Sequence, residues 1–188
     1  MLNFDSLEEK IKSGDYSPKE LYMYASLLYA QPDRHDESLE YYLSFIKSPG
    51  DMKYSGVKAY LNVHAIMMER QEYKKAFHIL TDFESRNHHM SEFYCTLGDY
   101  HDRVQGDLTK AIDAFEQALK CKGELKGGAR VPIEKEFYHF VPYMRLAELH
   151  SELKQLPKAL EYYKEASLHR YNDLALHKKI RELEAQLK

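Results

Sequence analysis

The sequence predicts an all-α fold, an array of antiparallel helix pairs stacked one on the next. Three observations carry that reading. Apolar residues recur at helical spacing almost everywhere, as in Leu39, Leu43 and Ile46, in Ile112, Phe115 and Leu119, and in the stripe Leu176, Ile180, Leu183 and Leu187. No run alternates apolar and polar residues over strand length, and no Asn-Gly or Asp-Gly hairpin turn occurs. The chain also repeats itself. Four stretches share a small residue, a large apolar or aromatic residue four later, and a third position three beyond: Ser38, Tyr42 and Phe45; Ala76, Leu80 and Phe83; Ala111, Phe115 and Ala118; Ala159, Tyr163 and Ala166.

A matching helix precedes each stretch. Its register residues are Tyr22, Ala25, Ser26 and Tyr29; Tyr60, Val63, His64 and Met67; Tyr94, Leu97, Gly98 and His101; and Tyr143, Leu146, Ala147 and His150. The whole chain, 1–188, is expected as a single domain. In order, 1–15 is a short helix stopped by Gly14, and 17–48, 52–86 and 90–121 are the first three helix pairs. The first spacing carries an extension around Ser48–Asp51, and the third pair has one extra residue in its turn near Gly106. Residues 122–132 form the one Gly/Pro-rich stretch and are expected as a loop, followed by the fourth pair, 133–171, where Pro142 kinks or restarts the first helix. Residues 172–188 form a capping helix, with Asn172 and Asp173 available to cap its N-terminus. Small residues at Gly98, Ala111 and Ala147 let paired helices approach closely, and rings at Tyr94, Phe115, Tyr143 and Tyr163 fill the space between pairs. One pair cannot bury its apolar faces alone, so several must stack.

This pattern resembles the tetratricopeptide repeat, a helix-turn-helix of about 34 residues. The resemblance implies a right-handed superhelical solenoid of antiparallel helix pairs with N- and C-terminal capping helices. It also accounts for the absence of Trp and the presence of 16 Tyr. Seven Tyr occupy signature positions, four of them where the repeat most often has Trp; Tyr24, Tyr41, Tyr100 and Tyr162 are among those left over for a surface role. Two further features are Lys12–Ala25, and Ser91–Gly98 followed by a Gly-rich insertion and Phe140–Ala147. Together they resemble the repeat region that follows the catalytic domain of bacterial family-2 glycosyltransferases, over roughly residues 5–185. No Asp-x-Asp motif and no βαβ pattern occurs, so the resemblance implies an accessory, non-catalytic module. It implies a glycosyltransferase domain, its acceptor protein or another copy of the chain as partner.

Composition excludes several function classes. The balance of 27 basic and 30 acidic residues exerts no general pull toward nucleic acid. No stretch approaches the roughly 20 apolar residues of a membrane span, and acidic residues from Asp5 onward exclude a signal peptide. Two Cys, on opposite ends of a helical hairpin, read as free thiols of a cytoplasmic protein. His88 and His89 read as a surface turn, since no HExxH or Cys-x-x-Cys partner accompanies them. His101 and His150 read as packing rings, and His64 as either a partly exposed ring or a pocket wall. No cofactor, metal or catalytic residue is expected.

In repeats of this kind the first helix of each pair lines a groove, which the resemblance places at Met23 and Leu27; Lys58, Leu61, Ala65 and Met68; Glu92, Cys95, Asp99 and Asp102; and Met144, Glu148 and Glu152. The N-terminal half is apolar and Met-rich, and the C-terminal half is acidic. A protein or peptide partner is expected, in the second case a basic amphipathic one. The alternative is that Met23, Leu27, Leu61 and Met68 pack against one another or an end helix. Repeats that clamp a C-terminal carboxylate do so with Lys, Asn and Arg. Of the five equivalent positions here only Asn62 matches, and Met23, Leu27, Glu92 and Thr96 hold the rest.

Overall fold

The computed structural model describes residues 4–48, 54–85, 88–89, 91–121, 124–125 and 139–188. The chain packs as two compact units, Met1–His88 and His89–Lys188.

The first unit begins with α1 (Phe4–Ser13), which ends where Gly14 turns into the left-handed region at φ 78°. α2 (Pro18–Tyr29) starts at a reciprocal cap. The Ser17 hydroxyl accepts from the Glu20 N–H, the Glu20 carboxylate accepts from the Ser17 N–H, and Pro18 fills the first turn. Lys10 at the end of α1 donates to the same carboxylate at 2.6 Å. The Lys10 bond and then the Ser17 bonds hold the Glu20 carboxyl down at about 2. Leu7 of α1 is fully buried against Tyr24 and Leu28.

α2 then pairs with α3 (His35–Lys47), and α4 (Tyr54–Glu69) with α5 (Tyr73–Ser85). At the small position of the first pair, the buried Ser38 hydroxyl donates to the Ala25 carbonyl at 2.8 Å. In the second pair Ala76, Leu80 and Phe83 are fully buried with Tyr60 and Val63, and the Tyr60 and Phe83 ring centroids lie 5.0 Å apart. The Tyr60 hydroxyl reaches Asp82 at 2.7 Å, so the ring fills the core while its polar end is satisfied.

The second unit contains α6 (Ser91–Tyr100), α7 (Leu108–Lys120), α8 (Val141–Glu152), α9 (Leu156–His169) and α10 (Leu174–Gln186). A Cβ added at Gly98 of α6 would sit 2.7 Å from the Phe115 ring of α7, which shows why the smallest residue stands there. The extra residue of this pair's turn is absorbed by a widened π-turn, His101–Gln105, closed by Gly106 at φ 65°. Pro142 and Pro157 lie in the first turns of α8 and α9, where a missing N–H costs nothing, and Pro142 follows a π-helical His139–Phe140, where the α-helix takes over. Asp173 caps α10 by accepting from the Leu176 N–H at 3.0 Å. Leu176, Ile180 and Leu183 then bury against Ala147, Ala159, Tyr163 and Ala166. Leu187, the fourth residue of the expected stripe, remains 42% exposed.

Three expectations change. His88–His89, expected as a turn, forms a two-residue strand β1, and Glu124–Leu125, inside the expected loop, forms β2, which pairs with it. The rest of that loop, and the proposed start of the fourth pair at Ile133, lie outside the described residues. Of the Tyr residues left over for a surface role, Tyr24 and Tyr100 are buried and Tyr41 and Tyr162 lie against core clusters, whereas Tyr16, Tyr73 and Tyr171 are exposed.

Candidate functional site

Within the first unit, α2 contacts α4 directly although α3 separates them in sequence. Met23 and Leu27 are four apart on α2, and Leu61, Ala65 and Met68 follow at four and three on α4, so each set shares one helix face. Leu27 is 40% exposed, while Lys58, Leu61, Ala65 and Met68 are half-buried. Met23 is half-buried and packs on the Leu7, Tyr24 and Leu28 cluster, which includes a residue of α1.

A polar relay joins α2 and α4. Asn62 donates its amide N–H to the Tyr42 hydroxyl at 2.7 Å, Tyr42 donates to Ser26 at 3.0 Å, and Ser26 donates to the Tyr22 carbonyl at 2.8 Å. These bonds tie α2, α3 and α4 together. They also engage Asn62, the lone match to a carboxylate clamp, inside the packing. His64, whose place the sequence left open, is 6% exposed, and burial pushes its imidazole down to about 4.

The second unit shows what the sequence reading missed. Arg145 of α8 bonds Asp99 at 2.9 Å and Asp102 at 2.6 Å, and it also pairs with Glu148. Its guanidinium stands 5.7 Å from the Phe115 ring centroid. Asp99 further lies 3.9 Å from Arg103. Arg145 therefore offsets part of the charge of the expected acidic face from within. Arg145 is off the assumed groove register, but its three-residue spacing from Glu148 is a helical ion-pair signal that was open to reading. Glu92 and Cys95, expected in the groove, are 0% and 2% exposed and lie in the interior. Met144 packs on the cluster that holds α10. Glu152 alone of the α8 set is exposed, with Glu148 half-buried.

Burial pushes the Cys95 and Cys121 thiols up to about 12, so neither is a thiolate nucleophile near neutral pH. Both are free. His101 bonds Gln105 at 2.8 Å, and His150 bonds Gln155 at 2.7 Å while stacking on Tyr162, so both rings serve packing. Among the described residues, no group of three or more His, Cys, Asp or Glu side chains is placed to hold a metal ion. Among them, too, no helix is long and apolar enough to cross a membrane.

No family model and no curated protein sequence matches the chain. Solved structures do. MamA 41-end from Desulfovibrio magneticus RS-1 superposes with a TM-score of 0.63 at 19% identity, covering 90% of this chain and 85% of that one. TTC0263, a thermophilic TPR protein of Thermus thermophilus, gives 0.60 at 19%, covering 96% and 88%. YrrB, described as a TPR protein with an unusual peptide-binding site, gives 0.62 at 12%, covering 96% and 88%. With the helix pairs and their small-residue contacts, these similarities define the fold: an all-α array of the tetratricopeptide-repeat class.

Proposed function

We propose that the chain is a non-catalytic protein-interaction scaffold that holds a peptide segment of a partner along the first helices of its pairs. The observation that carries this reading is the α2–α4 face of the first unit. Leu27 stands exposed on α2, and Leu61, Ala65 and Met68 lie half-buried along one face of α4, on touching helices tied together by the Asn62–Tyr42–Ser26 relay. A rigid apolar surface loses little entropy on binding, and Met adapts to varied side chains. The peptide-binding site named for YrrB, a structural relative, accords with this use of the fold. The test is capture of partners from lysate by wild type and by a Leu27→Glu, Met68→Glu variant that remains folded. Selective loss of a captured protein supports the reading, and identical recovery of every protein removes it.

The resemblance of Lys12–Ala25, Ser91–Gly98 and Phe140–Ala147 to glycosyltransferase-associated repeats supports a narrower form. In it the partner is a family-2 glycosyltransferase domain, its acceptor or another copy of the chain, inside a bacterial cytoplasm. The coding sequence upstream of Met1 and co-purification with such a domain test it. The form in which a basic amphipathic peptide is the partner rests on Asp99, Asp102, Glu148 and Glu152. Arg145 competes for the first three. An Asp99→Lys, Glu148→Lys variant that binds a basic peptide as tightly as wild type would remove that form.

A further inference from the structure

The first unit carries a second concave feature, away from the α2–α4 face. It is a cleft of about 350 Å³ between the end of α4 and the start of α5, lined by Met67, Lys74, Lys75, His78 and Ile79. Met67 is almost fully buried and Ile79 half-buried, while Lys74, Lys75 and His78 are exposed. The walls are apolar, and among the described residues no acidic side chain lines them. Lys75 is paired with Glu72 at 2.7 Å, whereas Lys74 meets no carboxylate among the described residues.

The same notch recurs in the second unit, between α6 and α7, with a volume of about 220 Å³. In the repeat register Met67 corresponds to His101, Lys74 to Thr109, Lys75 to Lys110, His78 to Asp113 and Ile79 to Ala114. The architecture supplies the notch in both places, but the chemistry differs. In the second unit an Asp faces in where the first has His, the apolar wall is cut back to Ala, and Thr109 stands where the first has Lys74; Lys110 is held by Asp107 at 2.8 Å, as Lys75 is by Glu72. Packing needs neither Lys74 nor an unfilled hollow beside Ile79. Apolar walls under a rim of one sign of charge form a recognition pattern in which the hollow takes an apolar side chain and the rim takes opposite charge.

We infer that the α4–α5 cleft is a second docking site, for an acidic segment of a partner protein that inserts one large apolar side chain between Lys74, Lys75 and His78 and sets its carboxylates against them. The volume matches one Leu- or Phe-sized side chain with its flanking backbone. This site is independent of the α2–α4 face, and its partner has the opposite charge preference from a basic peptide.

The experiment uses the full chain with its methionine methyl groups labelled with carbon-13, and a fluorescein-tagged peptide of sequence Asp-Glu-Leu-Glu-Asp-Phe-Asp-Glu. Saturable binding is expected, with the Met67 methyl resonance shifting and those of Met23 and Met144 unmoved. A control peptide with every carboxylate replaced by the amide should bind at least tenfold more weakly. A Lys74→Glu, Lys75→Glu variant, altered only at exposed positions, should lose at least tenfold, and the milder Lys74→Gln a few-fold. Lys110→Glu at the equivalent notch should leave binding unchanged. Absence of saturable binding, an unmoved Met67 resonance, equal affinity for the amide peptide, or an equal loss on Lys110→Glu would each overturn the assignment. The last outcome would mean diffuse attraction to surface lysines.

Discussion

In the first unit the small position of a second helix is Ser38, whose hydroxyl bonds the Ala25 carbonyl; in the second unit it is Ala111, which offers only a methyl group. The large position four later is Tyr42 in one and Phe115 in the other. Tyr42 passes its hydroxyl to Ser26 and Asn62, and Phe115 presents bare ring edges to Gly98. Both solutions bury the same positions completely. The packing rule therefore fixes size and leaves polarity free, provided every buried hydroxyl finds a partner. The outward faces diverge further. The first unit exposes Leu27 and an apolar cleft with a basic rim, whereas the second ties Asp99, Asp102 and Glu148 around Arg145.

The strongest way to break this comparison is Ala111→Arg. It overfills a completely buried position and buries a charge, so the second unit should lose on the order of 4 kcal/mol or more. Thermal unfolding at an unchanged midpoint would show that the small position carries no packing constraint.

The next effect concerns His64 in the first unit. Its folded value of about 4 lies below the ordinary 6.5 of an unfolded chain, because burial disfavours the charged ring. The unfolded state therefore takes up the proton first. The neutral ring's contribution is present above pH 6.5 and is lost as pH falls from 6.5 toward 4, by on the order of 3 kcal/mol in all. Denaturant melts of wild type and His64→Gln between pH 7 and 5 check this. The variant should show a flatter dependence, and parallel curves would contradict the assignment.

Gly98→Ala comes third. Its new methyl group would press on the fully buried Phe115 ring, costing about 1–3 kcal/mol. Phe115→Leu in the same chain should recover part of that loss, and strict additivity of the two changes would mean that they do not touch. The smallest effect is Asp173→Ala, which removes the cap of α10 at a cost of about 1 kcal/mol. Hydrogen exchange should quicken at the start of α10 while α7 stays protected.

Much of the fold was legible because close helix contacts demand small residues at fixed spacing, and Ser38, Ala76, Ala111 and Ala159 supply them. The Gly106 turn and the Asp173 cap were legible for the same local reason. Less of the candidate surface could be read. Helical spacing gives a residue's face but not what packs on it, so it left open whether Met23 lines a groove or packs on an end helix; Met23 lies half-buried on the Leu7, Tyr24 and Leu28 cluster. Glu92 and Cys95 were placed outward although both are buried. The acidic face was taken as open, since α6 and α8 lie more than 40 residues apart in sequence and only their packing brings Arg145 to Asp99 and Asp102.

The sequence by itself determined the helix pairs, their register and the positions that must be small, because these follow from helical periodicity and side-chain volume within about one repeat. Only the tertiary structure decided which charges are spent internally and which remain for a partner. Arg145 is consumed and Lys74 is left facing an apolar hollow. Ion pairing and burial depend on distances across helices that no local pattern encodes.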